Sequence, residues 1–310
     1  MSRQIAEQTR LFPKTAPMPT DALLAVLLGA VLHAGWNTAI KSGTDTRRDT
    51  VLVAGGAAVI AALFLPWLGV PTAASLPCLV ASACLQLLYF RLVAAAYRCG
   101  DMSLAYPLMR GTPPLLIAAC SGFLLDEQLS ASAWAGTSLV CAGVLTLALS
   151  GRPANVQTAN AHTANGCPTD GPKPRLVAVL GVPLANAAVI AAYTVIDGVG
   201  VRLSGNPPSY TLWVFLLAGI PVVLGGGPGL AVYARTRWPV AVVGGFCVVA
   251  SYGLALWAMT RAPVATVAAL RESSILFALL FAALILRERI GWWRAASGAA
   301  IALGAAALRL

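Results

Sequence analysis

From Thr20 to Leu308 the chain is a succession of apolar runs separated by short polar connections. Ten runs stand out: Thr20 to Lys41, Thr50 to Leu68, Leu76 to Tyr97, Ser103 to Leu125, Ala133 to Leu149, Leu176 to Val199, Tyr210 to Leu224, Pro239 to Met259, Val264 to Leu286 and Trp292 to Leu308. A helix rises about 1.5 Å per residue, so roughly 20 apolar residues cross the hydrocarbon of a bilayer. All ten runs reach or approach that length, and Tyr210 to Leu224 is the shortest. None shows the two-residue alternation of a membrane barrel, which leaves the helix as the spanning structure. The pattern predicts an all-α integral membrane protein with ten transmembrane helices.

The pattern also repeats. Arg271 and Glu272 interrupt the run Val264 to Leu286. A charge near the middle of a span costs at least a few kcal/mol, so both must face protein or a water-filled cavity. Arg110 lies 161 residues earlier, inside the run Ser103 to Leu125. At the same offset Leu125-Asp126-Glu127 matches Leu286-Arg287-Glu288, and Gly143 matches Gly304, without a gap. The long connection, residues 150–174, is rich in Ala, Asn, Thr, Gly and Pro, the composition of a flexible linker. It leaves five runs on each side. Five crossings are an odd number, so the second copy is inverted relative to the first. The expected units are a disordered tail (1–19) without the apolar core of a signal peptide, a first five-helix repeat (20–149), the linker (150–174) and a second five-helix repeat (175–310). Inverted repeats are the architecture of secondary carriers, whose substrate site lies near the midplane between the copies.

Composition agrees with the pattern and narrows the partners. Hydrophobic residues make up 58% of the chain and charged residues 10%, with a mean hydropathy of +0.79. A soluble domain carries about 25% charged residues. The net charge of +10 is spread over many short loops, with no basic stripe and no interleaved aromatics, so a nucleic-acid partner is not expected. The loops after odd-numbered spans hold Lys41, Arg47, Arg48, Arg98, Arg152, Lys173, Arg175, Arg235, Arg237, Arg287 and Arg289. The tails and the other loops hold Arg3, Arg10, Lys14, Arg202, Arg261 and Arg309. That bias predicts the odd loops in the cytoplasm and both termini outside. Seven cysteines form no CxxC pair and five of them lie in spans, which argues against a metal centre or a disulfide framework. His33 and His162 are the two histidines, and no HExxH motif occurs, so neither an enzyme nor a cofactor is expected. No GxxxxGK[ST] loop occurs either, so transport would run on an ion or substrate gradient.

The duplicated ten-span layout, the helix-ending Leu125-Asp126-Glu127-Gln128-Leu129 and Leu286-Arg287-Glu288-Arg289-Ile290, and Gly143 and Gly304 resemble the EamA-type carriers of the drug/metabolite transporter superfamily. The resemblance covers nearly the whole chain from Thr20. His33-Ala34-Gly35-Trp36-Asn37 is similar to a subgroup associated with phosphonate utilisation. The resemblance implies two halves facing each other across a central cavity, and spans five and ten packed at one edge as structural helices. It also implies cytoplasmic termini, opposite to the charge count. A multi-pass protein of the bacterial inner membrane, monomeric or homodimeric, is expected.

Arg110 and Arg271 are the leading substrate ligands, cations able to hold a carboxylate or phosphonate bidentately. The alternative for each is an internal ion pair with Glu272 or Asp197. Arg91 either joins them or snorkels to the nearer interface. Glu272 either carries a coupled proton or neutralises an arginine. Adjacent helix residues point about 100° apart, so its partner is not Arg271. Asp197 reads as an interfacial charge. His33, Trp36 and Asn37 share one helix region, and Tyr193 stands where Asn37 stands in the first copy at an offset of 156. Each is a substrate contact or a helix–helix and interface anchor. Tyr89, Tyr97, Tyr106, Tyr252 and Trp257 can stack on a flat or cationic group. Pro107, Pro113 and Pro114 free backbone carbonyls around Arg110, which suits a cavity there. Glu127 and Glu288 read as helix caps. Together these residues predict a secondary transporter of a small polar metabolite with an anionic group, of amino acid, organic acid or phosphonate type, working by alternating access. The competing readings are an exporter of cationic or drug-like compounds with an aromatic cavity, and a lipid-type flippase.

Overall fold

The computed structural model describes residues 18–41, 45–99, 102–149, 176–284 and 291–309. Among these residues there are helices and no strand. The helices are α1 (Thr20–Lys41), α2 (Thr46–Leu68), α3 (Leu76–Cys99), α4 (Met102–Gly111), α5 (Pro113–Leu124), α6 (Ala131–Leu149), α7 (Leu176–Ser204), α8 (Pro207–Leu224), α9 (Leu230–Met259), α10 (Val264–Arg271), α11 (Ser274–Leu284) and α12 (Trp292–Ala307). Seven segments are long and apolar enough to cross a membrane, the α10–α11 stretch being one of them. The linker, the N-terminal tail and Glu288 lie outside the described residues, as does the side chain of Tyr97.

Local chemistry places the helix ends. Asp45 caps α2 by accepting from the Arg48 amide at 2.9 Å, and Asn206 caps α8 by accepting from the Ser209 amide at 3.2 Å. Pro207 and Pro208 follow in the first turn of α8, where a missing N–H costs nothing. Gly69 (φ 72°) and Gly205 (φ 63°) supply the left-handed turns after α2 and α7.

Two expected spans are not continuous helices. The run Ser103 to Leu125 is α4 and α5, parted at Thr112, where Pro113 and Pro114 withhold their N–H groups. The run Val264 to Leu286 is α10 and α11, parted at Glu272 and Ser273. That second break contains no proline. It falls at the Ser273-Ser274 pair, and serine pairs are a recognised place for a helix to kink. Each break follows directly on the buried arginine region of its run. α9 starts earlier than its apolar run and kinks at Arg237 (φ −115°, ψ 18°), just before Pro239.

Small residues let the helices meet backbone to backbone. A Cβ on Gly136 would lie 2.8 Å from the Gly304 carbonyl oxygen, and one on Gly143 would lie 2.9 Å from that of Ser297. α6 and α12 therefore pack as a close pair, as expected for spans five and ten. A Cβ on Gly56 would sit 1.9 Å from the Ala241 carbonyl oxygen, so α2 and α9 touch at their main chains. α1 packs along α9, and α3 along α7. The outer surface is apolar: Leu28, Leu63, Phe64, Phe123 and Phe246 are exposed. Trp67, Trp238, Trp292 and Trp293 are exposed near helix ends, the position of interfacial tryptophans.

One end of the bundle is stitched between its N-terminal and C-terminal parts. Arg202 donates to Glu127 at 2.7 Å and to the Met259 carbonyl at 2.8 Å, all buried. The Glu127 carboxylate also accepts the Val264 amide at 3.0 Å, capping α10. Asp126 makes this reach possible. Its left-handed backbone (φ 54°) ends α5, and Glu127 closes back on the Ser121 carbonyl. Beside them Thr72 donates to the Leu203 carbonyl at 2.6 Å, Ser209 to the Gly69 carbonyl at 2.7 Å, and Arg261 pairs with Asp21 at 2.9 Å. At the opposite end Arg237 and Tyr233 of α9 both donate to the buried Asp49 of α2.

Candidate substrate site

The two helix breaks bring Arg110 and Glu272 together. Arg110 Nε lies 3.2 Å from Glu272 Oε2, with side chains 20% and 8% exposed, so the pair is almost out of contact with bulk solvent. The two atoms are close but not aligned for a hydrogen bond, and neither has another hydrogen-bond partner among the described residues. Arg110 Nη2 reaches Ser274 Oγ at 3.4 Å and His33 Nε2 at 3.5 Å. The His33 ring in turn meets Trp36 edge-on, with centroids 5.3 Å apart. Tyr89, Tyr106 and Tyr193 lie within electrostatic range of the Arg110 guanidinium, and Tyr89 and Tyr193 meet edge to face at 6.2 Å. Side chains of α1, α3, α4, α7 and the α10–α11 break thus converge on one polar cluster.

Arg271 is placed differently from its counterpart. Its guanidinium carbon stands 5.1 Å above the Tyr252 ring, a cation–π contact. No described carboxylate lies within ion-pair distance of it. His33, Glu272 and Asp197 feel its charge at longer range.

Asp197 is the residue that sequence reasoning misplaced. It is fully buried, not interfacial. Its carboxylate accepts from Tyr210 at 2.9 Å, from Tyr252 and from Ser82. Gly200 makes room for this arrangement, because a Cβ there would lie 2.2 Å from the Tyr210 hydroxyl oxygen. The sequence signal that could have found it is the spacing of Asp197 and Gly200, which puts the acid and the gap on one face of α7.

Other expected members fall outside the cluster. Arg91 is exposed, in line with snorkelling. Trp257 lies under Arg261 at 4.6 Å, at the stitched end. Asn37 spends its amide on the His33 carbonyl of its own helix, at 2.8 Å. With Arg91 outside, Arg110 and Arg271 are matched in number by Glu272 and Asp197. Among the described residues no group of His, Cys, Asp and Glu is arranged to hold a metal ion.

Comparison with known proteins follows the same lines. No curated protein matches the chain significantly. Among solved structures, a crystal structure of a protein aligns over 94% of this chain and 97% of its own length. Its TM-score is 0.64 at 22% sequence identity, which is a likeness of fold. Residues 177–310 match the EamA-like transporter family. That matching C-terminal part contributes Tyr193, Asp197, Tyr252, Arg271 and Glu272 to the cluster, so this portion of the chain is similar to the EamA-like transporter family.

Proposed function

We propose that the protein is a secondary carrier of the drug/metabolite transporter type that moves a small metabolite through its anionic group across the bacterial inner membrane. The observation that carries this reading is Arg271. A guanidinium in mid-bundle, stacked on an aromatic ring and with no carboxylate in contact among the described residues, is ready for a carboxylate or phosphonate. Arg110 is held by Glu272 and acts as a positioning residue that keeps the two helix breaks together. Tyr89, Tyr193, His33 and Trp36 form the wall against which the rest of the substrate packs. The aromatic-cavity exporter and the flippase are disfavoured by the same arginine.

In this reading the chain crosses the membrane ten times, as inverted halves 20–149 and 175–310 joined by the 150–174 linker. The reciprocal packing of α1 on α9 and α3 on α7 supports it, as does the break in both halves at the matched arginine. Alternating access is then a rocking of the halves about the cluster. The test is reconstitution into liposomes with labelled amino acids, phosphonates and sugar acids, alanine, methylphosphonate and gluconate among them. Uptake of an anionic member, competed by other anions, is the expected result. Uptake of a quaternary amine alone, unaffected by anions, refutes the reading.

A further inference from the structure

We propose that Asp197 is a proton-binding site, loaded whenever Arg271 holds a net anion, so that one proton accompanies each monoanion transported. The inference rests on the anion-carrier reading and adds the coupling ion and its residue.

The argument starts from charge balance. In the empty cluster Arg110 and Arg271 balance Glu272 and Asp197. An anion on Arg271 leaves one uncompensated negative charge in the middle of the bundle, where charge is costly. A proton on one of the two carboxylates restores neutrality, and their surroundings decide which. Glu272 faces Arg110 at 3.2 Å. Protonating it would strand a buried guanidinium, the costly way to break an ion pair.

Asp197 has no cation in contact among the described residues. Its partners are three neutral hydroxyls, each on a different helix: Ser82 on α3, Tyr210 on α8 and Tyr252 on α9. Gln86 donates to Ser82 at 3.1 Å, which leaves the Ser82 hydrogen to point at the carboxylate. The tyrosine hydroxyls can donate to an ionised Asp197, and either can turn and accept from the protonated acid. The site therefore satisfies both states. The other groups facing it are Cys78 from α3, Tyr193 on its own helix and Arg271 from α10. The charged residue of α4, Arg110, is held by Glu272. Tyr252 joins the two functions physically, since its ring carries Arg271 and its hydroxyl carries Asp197. An anion that takes up the charge of Arg271 removes the cation nearest to Asp197 and favours the proton there. The proton is taken from water on the loading side and returned to water on the other, with no other reactant.

The experiment uses the full chain in liposomes containing a trapped pH-sensitive dye, with labelled gluconate, a monoanion throughout the neutral range, as the anionic probe and alanine as a zwitterion. Anion uptake by the wild type should acidify the lumen and respond little to an imposed membrane potential, whereas alanine uptake should move no proton. Asp197→Asn should abolish the acidification while exchange of labelled for unlabelled anion remains measurable. Acidification that persists in Asp197→Asn overturns the proposal and leaves the carrier reading intact. Failure of the wild type to take up any anion overturns both. Tyr252→Phe provides a second route should Asp197→Asn fail to insert. It keeps the ring under Arg271 and removes one donor from the ionised acid, so the loss of anion uptake with rising pH should move to higher pH. An unchanged pH profile overturns the proposal.

Discussion

At the scale of single residues, Arg110 and Arg271 show how matched positions acquire different tasks. Both lie about 10 Å along their runs by helical rise, and both sit beside a helix break. Arg110 lies against Glu272, and Arg271 lies over Tyr252. Replacing Arg271 with Lys keeps the charge but loses the planar fork, so uptake of an anionic substrate should fall by about tenfold, the worth of one charge-assisted hydrogen bond. Arg271→Gln should fall further. Both are checked by initial uptake rates at equal amounts of protein in the membrane. A second residue-scale expectation concerns Gly200. A methyl group there collides with the Tyr210 hydroxyl, and overpacking of this kind costs roughly 1–3 kcal/mol. Gly200→Ala should lower the thermal unfolding temperature in detergent, and adding Tyr210→Phe should restore part of the loss.

At the scale of elements, the stitched end depends on one carboxylate. Glu127 follows the end of α5, yet it caps α10 and pairs with Arg202 of α7. Removing one partner of a buried pair typically costs about 3–5 kcal/mol. Glu127→Ala should therefore lower thermal stability strongly. Glu127→Gln should lower it less, because an amide oxygen can still accept from the Val264 amide. Equal loss in both variants would show that the charge on Arg202, not the cap, dominates. The α6–α12 pair is a different kind of contact. Its glycines carry no chemistry, and their value is the approach of two backbones. Gly136→Leu should separate these helices and reduce the amount of folded protein, measured as monodisperse material after extraction.

At the scale of the whole molecule, the distribution of charge predicts an orientation. Arg47, Arg48, Arg235 and Arg237 lie at the end opposite the stitched one, as do the helix ends at Leu149 and Leu176, by the order of the helices. The positive-inside bias predicts that this end faces the cytoplasm. In a variant whose remaining cysteine is Cys167, an impermeant thiol reagent should label the protein only after the cells are opened. Labelling of intact cells would place the linker outside, and the termini inside.

The sequence by itself determined the membrane class and the approximate helix positions, and it predicts a doubling of the chain. These follow from the length of apolar runs and their offset, which are local properties of the chain and need no tertiary contact to be expressed. It also determined that Glu272 would not pair with its neighbour Arg271, because helical geometry separates adjacent side chains; that Glu127 caps α10 was decided by packing. Tertiary structure alone decided the rest. The break at Ser273, where Glu272 meets the opposing Arg110, was not legible along the chain, because a serine pair permits a kink without requiring one. Asp197 looked interfacial because it stands close to the end of its apolar run. Its burial depends on α7 continuing to Ser204 and on hydroxyls from three other helices closing around it. Pairing between side chains separated by many residues is fixed by which helices pack together, and periodicity along the chain carries no record of that choice.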